Sequence, residues 1–318
     1  MSDPVRLVCP ECGRPASERK KKLNESIAGW VYSDGLQELL RSFDIDIPRA
    51  GSLEDYIGRL REAVQVWDFR AGAERWDIRT DDPRIQANKA LIEKASRELG
   101  LMDITEPQVD DPDCILPLGG ARMTNYNTPE KARSIIESMD LQGVSVVGLS
   151  TGRPAAERDR PYYEQYAYAD ATEFEAMYSG IKKVFGLTDS FTGCRTDDEN
   201  LYLCSEKRVF SESFRGGTVA VLSAPSSEPE KRRANTGDTF RYFLETFDIG
   251  ESSRIILTTN CVYVPYQLMK LMKIAIEKDL MIDCVGVKAK DHIPEGKHDR
   301  YLQEIKATID AIYDIFFN

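Results

Sequence analysis

Hydrophobic positions recur with two different periods along this chain, and the change between them divides it. Over residues 24–102 the apolar residues fall three and four apart, as in Ile27, Trp30 and Val31, then Leu36, Leu39, Leu40 and Phe43. The same spacing continues in Leu53, Tyr56, Ile57 and Leu60, and in Ile85, Leu91, Ile92 and Leu99. That period predicts amphipathic helices over 26–43, 52–66 and 84–99. Ser52 ahead of Leu53-Glu54-Asp55 reads as a helix start, and Gly100 as a stop. From about 113 the pattern becomes short continuous apolar runs: CILPLGG at 114–120, VSVVGLS at 144–150, TVAVLS at 218–223, RIILTTN at 254–260 and MIDCVGV at 281–287. Helical stretches separate them, at PEKARSIIESM after Thr128, at 171–185, from Thr236 or Asp238 to Phe247, at 266–278 and at 298–316. Pro129 reads as the first helical residue after the Thr128 cap. Residues 189–217 are less regular and read as a hairpin or long loop.

Buried strands alternating with helices imply βαβ units and a parallel sheet. The expected fold is therefore α/β and Rossmann-like, with a mostly parallel sheet flanked by helices and an N-terminal helical subdomain. Its expected parts are a tail at 1–23, helices at 24–102 and an α/β domain at 103–318.

Composition narrows the function classes. With 318 residues, 42% of them hydrophobic, the chain can bury a core without disulfides. Its 42 basic and 53 acidic residues leave a net charge of -11. That field disfavours general nucleic-acid binding and binding to anionic membranes, while leaving room for a local site for one small anion. No run is long and apolar enough to span a bilayer, and the first residues have no apolar signal region. Seven scattered cysteines fit a reducing compartment, so a cytoplasmic location is expected.

Candidate chemistry collects where strands end, which is where open α/β sheets bind ligands. In the loop after the first strand, Gly119 and Gly120 allow close backbone approach, Arg122 offers a cation, and Asn125 and Asn127 offer polar edges. This is not GxGxxG, so it carries no dinucleotide fingerprint. After the second strand, Ser150, Thr151 and Gly152 make a plausible anion nest, with Arg153 for a bidentate contact. Asn235 and Thr236 stand at a helix start. Thr259 and Asn260 end the fourth strand, with Tyr263 and Tyr266 able to stack on a planar ligand. Glu173 and Asp238 are the candidate catalytic carboxylates, able to orient a ribose, an ammonium or a water. Ordinary turns, helix caps and solvated acids account for the same residue types. Cys9 and Cys12 form a lone CxxC, read as half a metal knuckle, as a redox pair or as a bare tail fragment. His292 and His298 read as solvated loop residues, which leaves a histidine-based triad without an evident member.

Taken in series, LPLGG at 116–120, PEKARSIIE at 129–137, VVGLSTG at 146–152, TEFEAM at 172–177, NTGDTF at 235–240 and ILTTNCVYVPYQ at 256–267 resemble the DUF218 family of SanA-, ElyC- and YdcF-like proteins. The resemblance covers about 113–288. It implies a Rossmann-like fold, S-adenosylmethionine as a ligand, and site roles for Gly119, Gly120, Arg133, Ser150, Gly152, Glu173, Asn235, Thr236, Thr259 and Asn260. The chain departs from the family where Tyr263 and Tyr266 replace its usual histidine and arginine, and where Thr151-Gly152 replaces a second glycine. Binding of a nucleotide-like small molecule, with S-adenosylmethionine as the candidate, is the leading expectation. A transferase or hydrolase acting on such a metabolite, and a regulatory or scaffold protein using its helical first third, are the alternatives. The oligomeric partner is left open.

Overall fold

A computed structural model describes residues 5–69, 82–121, 123–159, 161, 172–288 and 297–317. The chain folds into a seven-stranded, mostly parallel sheet with helices on both faces and a helical N-terminal region. The N-terminal helices are α1 (Ala16–Val31), α2 (Asp34–Ser42), α3 (Leu53–Ala63), α4 (Pro83–Ala87) and α5 (Lys89–Glu98). Then follow β1 (Cys114–Pro117), α6 (Thr124–Ser138), β2 (Ser145–Ser150), α7 (Glu173–Phe185), β3 (Phe191–Thr196), β4 (Ser205–Phe210) and β5 (Val219–Ser223). The chain continues through α8 (Thr236–Thr246), β6 (Arg254–Asn260), α9 (Val264–Glu277), β7 (Met281–Val287) and α10 (His298–Phe317).

The sheet order is β3-β4-β5-β2-β1-β6-β7. The five strands from β5 to β7 run parallel, and the β3–β4 hairpin adds antiparallel to β5. Side chains alternate across it, as strand geometry requires. Cys114, Leu116, Val147, Leu149, Ala220, Leu222, Ile255, Leu257 and Ile282 face one core, while Ile115, Val146, Val219, Val221, Ile256 and Val285 face the other. Both faces are covered, so the strands carry the continuous apolar runs read in the sequence.

The first of these cores also contains Leu23, Ile27, Trp30, Leu36, Leu39, Tyr56, Ile57, Leu60 and Ile92 from α1–α5. α10 joins the two parts by packing on α3, α5 and α9. The apolar stripes of the first third are therefore spent inside the molecule.

Several boundaries differ from the sequence expectation. α1 begins at Ala16, inside the expected tail, and the basic run Arg19–Lys22 lies within it. Arg19 is 2% exposed and donates to Asp279 and to the Leu280 carbonyl, so it anchors the chain start beneath β7. The helix expected at 84–99 is interrupted at Asn88, whose side chain bonds back to the Arg84 carbonyl. Most informative is α6, which starts at Thr124 and so places Pro129 inside a helix instead of at its first residue. Proline has no N–H for the carbonyl four residues back, here that of Asn125. That freed carbonyl meets Gly180 of α7, where a Cβ would lie 1.9 Å from the Asn125 oxygen. The close approach of α6 and α7 therefore accommodates the proline. His298, read as a loop residue, instead starts α10, is 6% exposed and bonds through Nε2 to Glu93 at 2.7 Å.

Candidate strand-end site

The parallel strands deliver their C-terminal ends to one edge of the sheet. β1 runs into Leu118-Gly119-Gly120, and the Gly119 N–H donates to the Leu149 carbonyl of β2 at 2.7 Å. A Cβ on Gly119 would lie 3.0 Å from both the Leu149 oxygen and Ser150 Oγ, so glycine sets how closely the two strand ends meet. The Gly120 N–H donates to Asn125 Oδ1 at 3.1 Å, and Asn125 Nδ2 donates back to the Gly120 carbonyl at 2.6 Å. Asn125 is fully buried and ties the loop to the first turn of α6.

β6 joins the same network. Thr258 Oγ1 donates to the Thr128 carbonyl at 2.8 Å, and Asn260 Nδ2 donates to Thr124 Oγ1 at 3.1 Å. Thr128 Oγ1 lies 3.2 Å from the Leu118 carbonyl. Buried polar groups carry a desolvation cost unless paired, so these bonds hold β1, β6 and α6 in one register. Ser150 is the contrast: it is 4% exposed, and its Oγ has no hydrogen-bond partner among the described residues.

Beyond β2, Thr151 Oγ1 donates to Glu173 Oε2 at 3.0 Å, and Arg153 pairs with Glu173 Oε1. The Glu173 N–H also donates to the Arg153 carbonyl. Glu173 is 6% exposed, so this pair is largely withdrawn from water. The arginine expected to meet an anion therefore already meets a carboxylate. Gly152 has open space where a Cβ would stand.

Asn235 and Asp238 have a different duty. They form a reciprocal cap at the start of α8, with Asp238 also accepting from Ser227 at 2.6 Å and from Arg232 at 2.5 Å. Burial works against ionisation of Asp238, but the bonds from Arg232, Ser227 and the Asn235 N–H outweigh it and hold the carboxyl below its usual range. This is helix-cap chemistry, and Glu173 and Asp238 belong to separate hydrogen-bonded groups.

The remaining candidates divide. Thr259 is buried within the end of β6. Tyr263 is half-buried in the 3-10 turn Cys261–Tyr263, and Tyr266 lies in α9. Arg133 points away, donating to the Val184 carbonyl at the far end of α7 and to Glu137, so it caps a helix end. Arg122 lies outside the described residues. Cys9 is buried with its thiol against the Pro10 and Leu280 carbonyls, and Cys12 Sγ lies 3.3 Å from the Ser252 carbonyl. Burial pushes the Cys9 thiol up to about 11. Among the described residues no three His, Cys, Asp or Glu side chains come together as metal ligands, and no helix is long and apolar enough to cross a membrane.

Sequence reading missed the buried acids Asp159, Asp299 and Glu304, which are 1%, 5% and 4% exposed. The signal for the last two was present. They share α10 with Leu302, Ile305 and Ile309, and polar residues so spaced read as a solvated face unless the helix is buried all round. α10 packs on the Cys261–Tyr263 turn that follows β6.

Residues 14–100 match the Rv3785 N-terminal domain. The match falls on the helical first third. The whole chain is similar to an uncharacterized protein, Rv3785, of Mycobacterium tuberculosis, at 25% identity over 335 residues, covering 96% of this chain and 93% of the relative. The uncharacterized protein Mb3814 of Mycobacterium bovis is similar to the same extent. No solved structure matches. These findings overturn the DUF218 resemblance, which is replaced by similarity to Rv3785 proteins. The resemblance rested on short strand-and-turn segments such as LPLGG and VVGLSTG, which many parallel sheets carry. It left 1–102 unexplained, and that is where the Rv3785 domain matches. The roles it implied, including S-adenosylmethionine binding, lose their support with it.

Proposed function

We propose that the strand-end edge of the sheet binds a small nucleotide-like metabolite through a Rossmann-like arrangement of the strands. The observation that carries this is the junction of the β1 and β2 ends, where Ser150 Oγ is buried against Gly119 without a hydrogen-bond partner among the described residues. Strand order supports the same place. From β1 the chain moves one way to β2 and β5, then returns across β1 to β6 and β7. Ligands of open α/β sheets collect where the order reverses, beyond the strand ends.

The groups around the junction suit different parts of such a ligand. The start of α6 turns the positive end of its helix dipole toward the junction, which favours a phosphate or carboxylate there, while the Gly119 and Gly120 N–H groups are spent on the Leu149 carbonyl and Asn125. Glu173, an acceptor on the β2 side, suits hydroxyls of a sugar better than an anion, since it already neutralises Arg153.

Thermal shift and calorimetric titration with ATP, AMP, NAD and S-adenosylmethionine test the reading. One or more of these should bind. At a hundredfold excess over Kd the gain in stability is about 2.7 kcal/mol. Ser150→Ala should weaken the binding while leaving the fold in place, because it removes the unbonded hydroxyl and adds no volume. No heat and no thermal shift with any compound at millimolar concentration would overturn the proposal.

A further inference from the structure

Cys9 and Cys12, the CxxC pair, lie at the starts of β6 and β7, at the opposite end of the strands from the proposed ligand site. Cys9 is buried, with its sulfur 3.8 Å from the Leu280 carbonyl. Cys12 is half-buried, and its thiol donates to the Ser252 carbonyl at 3.3 Å in a bond open to solvent. The chain then turns at Gly13, whose φ is 70° and whose N–H donates to the Asp279 carboxylate at 3.0 Å. Between the cysteines, the Pro10 carbonyl lies 3.4 Å from Arg19 Nη2.

The surroundings of Cys9 suit a sulfur anion. β7 is an edge strand. The Met281 N–H turns inward to the Ser253 carbonyl, so that of Ile282 turns outward, where it reaches the Cys9 sulfur. Arg19 gives Nη1 to Asp279 and Nη2 to the Leu280 carbonyl, while its buried Nε has no partner among the described residues. Burial is the largest influence on the Cys9 thiol and pushes it up; the Ile282 N–H and the Arg19 guanidinium act the other way. A charge on Cys12 also reaches Cys9, so the two sulfurs are neighbours. Cys-x-x-Cys is the spacing at which such neighbours support a reversible disulfide.

We propose that Cys9 and Cys12 form a reversible dithiol–disulfide pair that exchanges with small-molecule disulfides. Cys12, the one open to solvent, attacks first. Its thiolate bonds to one sulfur of the reagent, the reagent's S–S bond breaks, and the departing thiolate takes up the proton that Cys12 lost. Cys9 then attacks the Cys12 sulfur as a thiolate held by Ile282 and Arg19. The Cys9–Cys12 bond forms, and the second thiolate leaves with the Cys9 proton. Two protein thiols are oxidised, and one small disulfide is reduced to two thiols. The fold tolerates both states, because the Leu280 carbonyl keeps Arg19 when the Cys9 thiol is gone. A metal knuckle fits less well. Among the described residues no third ligand joins the pair, and a divalent ion on Cys9 would sit beside a buried cation.

Oxidised glutathione on the full chain tests this, followed by acid quench, alkylation in denaturant and peptide mass spectrometry. The wild type should lose alkylation at both Cys9 and Cys12, and the peptide carrying them should be lighter by two hydrogens. Dithiothreitol should restore both thiols. Cys9→Ser should stop after the first step and keep a glutathione adduct on Cys12, whereas Cys12→Ser should leave Cys9 reduced. The same reaction with equimolar zinc sulfate separates the metal reading: both thiols should still oxidise. Thiols that stay reduced at every glutathione ratio, or that zinc protects, would overturn the proposal. So would a wild type that accumulates the Cys12 adduct without closing the bond to Cys9.

Discussion

Gly180→Ala is expected to destabilise the protein by about 3 kcal/mol, at the upper end of the cost of forcing a methyl into a packed core. The new Cβ would lie 1.9 Å from the Asn125 carbonyl oxygen and 2.9 Å from its carbon. Both are backbone atoms, so no rotamer change can relieve the clash. Either α7 moves away from α6 or the first turn of α6 shifts. Separation would reopen the contact against the carbonyl that Pro129 cannot bond, and a shift would disturb the Asn125–Gly120 bonds that shape the β1 loop. Urea unfolding of Gly180→Ala beside Gly152→Ala checks this. Gly152 has nothing within 4 Å of an added Cβ, so its variant should stay within about 0.5 kcal/mol of the parent. Equal stability of the two variants would show that α6 and α7 are not held together in this way.

Asp238→Ala should cost about 2–3 kcal/mol at neutral pH, combining a lost helix cap with a broken, largely buried ion pair. The figure is set below the full cost of a buried pair because Arg232 is 30% exposed and can rehydrate. The pH dependence follows from the lowered carboxyl. A folded-state value below the unfolded one stabilises the fold above the unfolded value, about 3.9 for aspartate, and that contribution disappears as pH falls through the folded value. The stability gap between wild type and variant should therefore be widest at neutral pH and narrow below about pH 4. Chemical unfolding across that range measures it. A gap that stays constant down to strongly acidic pH would mean that the ionised carboxylate is not what stabilises α8.

Much of the architecture was legible because it follows from local periodicity. β6 and β7 occur where RIILTTN and MIDCVGV were read, and α3 starts at Leu53 behind the expected Ser52 cap. Boundaries failed where a distant partner decided them. Read locally, Pro129 starts a helix; in the fold, the absent side chain of Gly180 lets it sit inside one. The basic run Arg19–Lys22 reads as a tail, until Asp279 and the Leu280 carbonyl take up Arg19.

The candidate site divides in the same way. The strand-end positions of Gly119, Ser150, Thr259 and Asn260 were legible because glycines and small polar residues at strand ends are a local pattern, and parallel strands all end on one edge. Arg133 and Asp238 were not, since a charged residue near a helix end looks the same whether it faces a ligand or caps a helix. Only their partners, the Val184 carbonyl for one and Ser227 with Arg232 for the other, distinguish these roles.

By itself, the sequence determined a helical first third, a mostly parallel sheet and a polar edge at its strand ends, because each depends on spacings within about ten residues. The tertiary structure decided that α1–α5 share a core with the sheet, that Arg153 is neutralised by Glu173, and that Ser150 Oγ is buried without a partner among the described residues. Those outcomes depend on contacts between segments distant in the chain, and no local period encodes which distant side chain will arrive.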